Sequence, residues 1–211
     1  PISNMLVQAQ VTLSKDREAS HYAEALHSMV EELERLSTMV SDMLYLAKTE
    51  HLIQAPHAQT VDLAREAREL AEFYNLIAEE RQVQILVTGE GCVQGDRSMI
   101  RRAISNLVSN ALRYAYSASS IKIEVGRKAL GTTLSVTNVG PSIPAEIQTR
   151  LFDRFYRADD ARAHPGSEGA GLGLAITQAV MKAHGGSITV SSTESLTSFT
   201  LIFRLVPNDA Q

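Results

Sequence analysis

The 211-residue sequence predicts an α+β fold, in which a helical hairpin precedes a mixed sheet covered by helices on one face. Apolar residues in the first fifty positions follow heptad spacing, whereas helical and strand patterns alternate after residue 60. Short glycine-containing turns (Arg127–Gly131 and Glu194–Ser198) separate neighbouring strand patterns and imply antiparallel pairs. A mixed sheet is therefore favoured over a doubly wound parallel sheet, and we divide the chain into 1–52 and 60–211.

The hairpin is predicted from two apolar stripes joined by a polar turn. The stripes comprise Ile2, Leu6, Ala9 and Leu13, then Leu26, Met29, Leu33, Leu36, Val40, Met43 and Ala47. The polar segment Ser14–Glu18 lies between them and reverses the chain. Such faces are too wide to be buried within one hairpin. Dimerisation into a four-helix bundle and packing on the chain's own second domain are both compatible with the pattern.

In residues 60–211, periodicity, capping residues and turns predict the helices and strands. Helices are expected from Asp62 to about Arg81, from about Asp96 to Tyr116 and over Leu174–His184, with strands at Val83–Thr88, Ile121–Gly126, Thr132–Thr137, Ser187–Ser191 and Phe199–Leu205.

The composition disfavours two classes of function. The 20 basic and 24 acidic residues give a charge of −4, which disfavours nucleic-acid binding. The single cysteine, Cys92, excludes a disulfide framework and a cysteine-based metal site.

Polar residues share one face of the second predicted helix. Asn106, Asn110 and Arg113 lie at i, i+4 and i+7, opposite an apolar face. Two amides and a guanidinium in this arrangement can supply a Mg²⁺ ligand, a group that orients water or a hydroxyl, and a phosphate contact. By itself, the pattern is better explained by a solvated polar face.

Three further clusters follow along the chain. Asn138-Val-Gly140-Pro-Ser142-Ile143-Pro144 directly follows a strand, where glycine permits a flat ligand to approach the backbone, although a Gly-Pro pair by itself nearly always marks a plain turn. Leu151-Phe-Asp-Arg154-Phe155-Tyr156-Arg157 combines hydrophobic anchors with arginines that we expect to face phosphate. Gly169-Ala-Gly171-Leu-Gly173-Leu174 precedes an apolar helix, whose N-terminus favours anions. It is neither a Rossmann fingerprint nor a Walker A loop, and we expect 159–168 before it to form a mobile lid.

The four clusters, in this order over about 70 residues, resemble the N, G1, F and G2 boxes of histidine kinases in the Bergerat (GHKL) ATPase superfamily. Pro1-Ile2-Ser3-Asn4 resembles the end of the segment H-E-L-R-T-P-[IL]-S-N around the phosphoacceptor histidine. The segments 31–37 and 42–47 are similar to the heavy-metal (copper, silver, zinc) sensor branch. The resemblance implies a GHKL α/β sandwich, ATP and Mg²⁺ as cofactors, and transfer of the γ-phosphate to a histidine and onward to an aspartate of a response regulator.

The resemblance also implies roles for individual residues. Asn110 would bind Mg²⁺, Asn106 would lie near the γ-phosphate, and Arg113 would contact phosphates. The other nucleotide contacts would be Tyr114, Asn138, Gly140, Ser142, Ile143, Arg154, Phe155, Arg157, Gly169, Ala170, Gly171, Leu172, Gly173 and Leu174. The hairpin would form a homodimer. Because the sequence starts at Pro1 without a membrane segment, we expect a fragment: the cytoplasmic domain of a protein anchored in the inner membrane.

The sequence departs from the family pattern in four places. Asn138 and Ser142 replace the Asp and the second Gly of the G1 box, and Leu196 replaces a Gly near the C-terminus. A neutral hydrogen bond to adenine is weaker than a charge-assisted one, so ATP affinity should be about 1 kcal/mol lower than in an Asn138→Asp variant. The phosphoacceptor is expected upstream of Pro1, since none of the six histidines lies in an H-E-x-x-[TN]-P context.

Two other functions stay open from the sequence. A GHKL ATPase that drives conformational change would carry Glu at the position of Asn106 and lack the hairpin. This chain has Asn106 and a predicted hairpin, and both disfavour that function. A non-catalytic nucleotide-binding dimer would be favoured by loss of Asn110 or of the glycine cluster, and both are intact.

Overall fold

The computed structural model describes residues 2–52, 55, 57–128, 131–157 and 170–204. Its helices are α1 (Ile2–Leu13), α2 (Ala19–Glu50), α3 (Leu63–Phe73), α4 (Asn75–Glu80), α5 (Arg97–Tyr114), α6 (Ala145–Gln148) and α7 (Gly173–Ala183). Its strands are β1 (Gln59–Asp62), β2 (Gln84–Gly89), β3 (Cys92–Gly95), β4 (Ser120–Lys128), β5 (Gly131–Val139), β6 (Ser187–Ser192) and β7 (Leu196–Arg204). Within these residues, no helix combines the length and apolar character needed to cross a membrane.

The main sheet is mixed, as the sequence predicts. Its strand order is β2-β4-β5-β7-β6, with β2 and β4 parallel and the other neighbours antiparallel. Side chains along β4 alternate between buried (Ile121, Ile123, Val125) and exposed (Lys122, Glu124). The helices α3, α5 and α7 contact the sheet at β2, β5 and β6. Helices therefore cover one face, and the predicted fold class is confirmed.

Helix α5 forms the centre of the core. Its N-cap, Asp96, accepts hydrogen bonds from the backbone N–H groups of Ser98 (2.9 Å) and Met99 (3.1 Å), which satisfies two donors at the helix start. One face is fully buried against the sheet and α7 (Ile100, Ala103, Ile104, Leu107, Val108). The buried Glu66 carboxylate of α3 binds Arg97 at 2.5 Å and Arg101 at 3.1 Å, and this joins α3 to α5. The central helix is thus fixed on both sides.

The structure corrects three details of the sequence prediction. The helix expected from Asp62 to Arg81 is divided at Tyr74 into α3 and α4, and the Tyr74 hydroxyl hydrogen-bonds to Ser105 Oγ at 2.9 Å. The strands β1 and β3 were not predicted; they pair with each other, outside the main sheet. The four-residue helix α6 lies in the segment that the sequence treats as loop.

The hairpin consists of α1 and α2, as predicted, and α2 contacts the second part of the chain. Leu46 and Thr49 near its C-terminal end are buried, and α2 packs against α7. The Arg102 guanidinium forms an ion pair with Asp42 and lies 3.8 Å from the centre of the Tyr45 ring. The second part of the same chain thus covers the C-terminal end of α2. The upstream apolar positions stay exposed in the single chain (Leu6, Leu13, Leu26, Leu33, Val40).

Candidate functional site

The predicted polar stripe lies on the half of α5 that approaches the end of β5. Asn106, Asn110 and Arg113 are all half-buried, whereas the apolar residues between them, such as Leu107 and Val108, are fully buried. Burying the apolar side fixes the rotation of the helix, so the polar side faces a partly open region. Arg113 lies in the last helical turn, where a cation also interacts favourably with the helix dipole.

Asn106 connects α5 to the start of α7. Its Nδ2 donates a hydrogen bond to the Gly173 carbonyl at 2.9 Å and approaches the Thr177 hydroxyl at 3.4 Å. The Thr177 hydroxyl donates to the same carbonyl at 2.9 Å. The first and fourth sequence clusters, 67 positions apart at this contact, are therefore adjacent in the fold.

Asn138 lies near the end of β5, a strand flanked on both sides. It is paired in register with Ile121 of β4 and Thr197 of β7, and it shares the helix-covered face with Leu134 and Val136. Only 3% of the residue is exposed. Among the described residues, no protein group forms a hydrogen bond with its side-chain amide. Its amide atoms are not fully enclosed by protein, so they are suited to contact a ligand that enters from the helix side.

Gly140 allows the strand-end loop to contact the end of α5. A Cβ atom at this position would lie 2.3 Å from the Tyr114 carbonyl oxygen and 2.9 Å from Asn138 Nδ2. The Gly140 N–H donates to the Ser195 carbonyl at 2.8 Å, and the Tyr116 N–H donates to the Val139 carbonyl at 2.9 Å. The second cluster is thus held directly against the C-terminal end of the polar stripe, with no space for a side chain.

In the rest of the second cluster, Ile143 is held by hydrogen bonds and packing, whereas Ser142 is exposed. Ile143 packs partly against the core, its N–H donates to Ser192 Oγ at 2.9 Å, and its carbonyl accepts from Gln148 Nε2 at 2.9 Å. Ser142 is exposed. Ser192 is a positioning residue that the sequence did not indicate, because its partner lies 49 positions away.

The third cluster contacts the glycine cluster through its backbone. The Phe155 N–H donates to the Gly171 carbonyl at 3.0 Å, and both residues have positive φ, +62° and +71°. A Cβ on Gly171 would lie 2.9 Å from the Phe155 carbonyl carbon, which requires glycine there. Phe155 is 49% exposed, so Leu151 and Phe152, which pack on the core, are the hydrophobic anchors.

The arginines of the third cluster are placed differently from each other. Arg154 was expected to face phosphate, but in this structure its guanidinium forms an ion pair with Glu50 at the end of α2. Arg157 is half-buried. The segment 159–168, predicted as a lid, and Gly169 lie outside the described residues.

Helix α7 begins without a side-chain cap. Leu172, at the N-cap position, is 1% exposed, and the first N–H of this helix with a helical partner belongs to Ile176, which donates to the Leu172 carbonyl at 2.8 Å. The preceding N–H groups of Gly173, Leu174 and Ala175 remain available at the positive end of the helix dipole. Ala170 and Gly171, both half-buried, lead into this end. The geometry suits an anionic group.

Together these elements form one site whose chemistry suits a nucleotide. A buried amide for a flat ring, a guanidinium, helix N–H groups for phosphate and two amide side chains meet around the C-terminal half of α5. Among the described residues, no group of three His, Cys, Asp or Glu side chains could hold a metal ion. Within the described part of the site, the amide oxygen of Asn110 is a donor of the kind that Mg²⁺ accepts beside phosphate oxygens.

Comparison with curated proteins finds close relatives over most of the chain. The probable sensor protein PcoS of Escherichia coli is 46% identical over 190 residues, covering 90% of this chain and 40% of the relative. The sensor histidine kinase CusS of Escherichia coli strain K12 is 39% identical over 202 residues, covering 95% of this chain and 42% of the relative. The chain thus spans about two fifths of the length of these relatives.

Solved structures share the fold. The histidine kinase AdeS of Acinetobacter baumannii has a TM-score of 0.75 at 22% identity, covering 97% of this chain and 94% of that chain. Full-length ShkA in complex with AMPPNP has a TM-score of 0.70 at 21% identity, covering 94% and 42%. A family model described as histidine kinase-, DNA gyrase B- and HSP90-like ATPase matches residues 95–207. The resemblance inferred from the four clusters is confirmed, and the chain belongs to this ATPase family.

Proposed function

We propose that this chain is the nucleotide-binding core of a two-component sensor histidine kinase of the heavy-metal branch. It binds Mg-ATP, presents the γ-phosphate to a histidine supplied by a segment upstream of the helical hairpin, and the phosphate then passes to an aspartate of a response regulator. The relatives PcoS and CusS, a sensor protein and a sensor histidine kinase by name, support this assignment. In the same proposal, the hairpin forms a homodimer and the parent protein is anchored in the inner membrane.

The observation that carries the proposal is the contact between Asn106 and Gly173. It places the amide stripe of α5 beside the N-terminus of α7, so that one ligand can contact both. A nucleotide is the ligand that needs both, because its phosphates bind helix N–H groups while its metal binds amide oxygens.

The residues of the site act by positioning and by charge. Bound Mg-ATP supplies the phosphoryl group and the metal's positive charge. Asn138 accepts a hydrogen bond from the adenine amino group, Asn110 offers its oxygen to the metal, and Arg113 neutralises phosphate charge. Position 106 carries Asn rather than Glu, so this position supplies no carboxylate base for water attack. The chain thus favours transfer to an acceptor over hydrolysis.

Calorimetric titration with Mg-ATP tests the nucleotide site. We expect wild-type chain to bind and Asn110→Ala to bind at least about tenfold more weakly, because a metal ligand is lost. Asn75→Ala, an exposed helix position on α4, is the matched control and should bind like wild type. Undetectable binding by the wild-type chain would overturn the proposal.

Labelling with radioactive ATP tests the reaction. This chain should form no acid-labile phosphohistidine, whereas a chimaera with the segment H-E-L-R-T-P placed before Ile2 should become labelled. Rapid ATP hydrolysis by the chain without any acceptor would instead favour an ATPase that drives conformational change.

A further inference from the structure

Thr177 is a buried polar residue of α7 that none of the sequence clusters includes. It is completely inaccessible to solvent, and its hydroxyl donates to the Gly173 carbonyl one turn earlier at 2.9 Å. The hydroxyl oxygen also lies 3.4 Å from Asn106 Nδ2, the longest of the three contacts in this group. Thr177 therefore touches Asn106 from a position where it cannot itself meet a ligand.

The identity of the neighbours determines the orientation of the Asn106 amide. A carbonyl oxygen can only accept hydrogen bonds, so the Asn106 atom 2.9 Å from the Gly173 carbonyl must be the NH₂ group. The Thr177 oxygen lies 2.9 Å from that carbonyl oxygen, so the two acceptors sit side by side on the same side of the NH₂ group. Among the described residues, no group donates to Asn106 Oδ1. The side chain therefore presents an acceptor oxygen to the site, which suits a cation or its bound water and repels a phosphate oxygen.

We infer that Thr177 is a positioning residue, which holds the Asn106 amide with its oxygen toward the metal side of the nucleotide site. The inference rests on the proposed Mg-ATP function. Without the hydroxyl, the amide keeps one fixed partner, the Gly173 carbonyl, and gains freedom to rotate. The oxygen then leaves the metal side for part of the time, and the Mg²⁺-dependent part of nucleotide affinity falls.

The test compares Thr177→Val with Thr177→Ser. Valine has the shape of threonine without the hydroxyl, whereas serine keeps the hydroxyl. We expect Thr177→Val to bind Mg-ATP roughly three- to tenfold more weakly, the range of a single hydrogen bond. Its binding of ATP in the presence of a chelator should change less than twofold, and Thr177→Ser should retain wild-type Mg-ATP affinity to within about twofold. Equal Mg-ATP affinity of Thr177→Val and wild type would overturn the inference.

A double-mutant cycle separates positioning from packing. If Thr177 acts through Asn106, Thr177→Val should have no further effect on Mg-ATP affinity in an Asn106→Ala background. An equal loss in both backgrounds would show a general packing effect and reject the inference. The side-chain NH₂ signals of Asn106 in ¹H–¹⁵N spectra give an independent readout: they should shift in Thr177→Val without nucleotide, and unchanged signals would contradict the inference. Wild-type binding that weakens in Asn110→Ala shows that the proposed function holds even if Thr177 fails these tests.

Discussion

Gly140 offers the sharpest test of how the site is assembled. In Gly140→Ala, the new Cβ would lie 2.3 Å from the Tyr114 carbonyl oxygen and 2.9 Å from Asn138 Nδ2. The Tyr114 contact involves backbone on both sides, so neither atom can move by a side-chain rotation. Reaching an ordinary contact requires the end of α5 and the strand-end loop to separate by roughly 1 Å, and overpacking of this kind costs about 1–3 kcal/mol.

Two measurements report this separation. For a chain of this size, about 2 kcal/mol lowers the melting temperature by roughly 4–8 °C. The same movement shifts the Asn138 amide relative to Arg113 on α5, so Mg-ATP affinity measured by calorimetry should fall about tenfold, the loss of roughly one hydrogen bond.

Gly126→Ala is the matched control. Gly126 lies in β4, its φ is not positive, and a Cβ there meets no atom within 4 Å. Its melting temperature should stay within about 2 °C of wild type, and its nucleotide affinity should be unchanged. If Gly140→Ala behaved like Gly126→Ala in both measurements, the close contact between loop and helix would be wrong.

Two further predictions concern carboxylates. Asn138→Asp should bind ATP several-fold more tightly, by about 1 kcal/mol in calorimetry, yet its nucleotide-free form should melt at a lower temperature, because the position is 3% exposed and the carboxylate loses its water. Affinity no higher than that of wild type would refute the adenine role. Asp96→Ala should lose about 1 kcal/mol of stability at pH 7 with the helix cap. Burial acts to raise the pKa of Asp96, but hydrogen bonds from Ser98 and Met99 lower it overall, so the carboxylate stabilises the fold above about pH 4. In thermal unfolding, the difference in stability between Asp96→Ala and wild type should become smaller as the pH falls below this value. A difference that stays constant would contradict a charged carboxylate at the helix cap.

Much of the fold follows from sequence because its long elements have one buried face each. The central helix α5 was placed within a few residues, since Asp96 signals its start and its apolar face is fully buried. The strands β1 and β3 could not be found this way. Each has four residues and pairs only with the other, and one apolar position in each, Val61 and Val93, gives no periodicity.

The site was only partly accessible to sequence reasoning, for a related reason. Residue types and helical spacing indicate that Asn106 and Asn110 share a face. No local pattern indicates that Asn106 meets Gly173, or that Thr177 supports both, because these contacts arise from tertiary packing between α5 and α7. The ion pair of Arg154 with Glu50 joins residues 104 positions apart, and no local pattern predicts it either.

Two ion pairs among the described residues join α2 to the second part of the chain, and they differ in exposure. Arg154 and Glu50 have side chains 58% and 36% exposed, and exposed pairs contribute about 0–1 kcal/mol. Arg102 and Asp42 are 29% and 23% exposed, and the Arg102 guanidinium also stacks on the Tyr45 ring. Arg102 lies one helical turn before Asn106 on the same stripe of α5. The exposed Arg154–Glu50 pair can thus break at small cost, while Arg102 keeps α2 attached to the helix that carries Asn106 and Asn110.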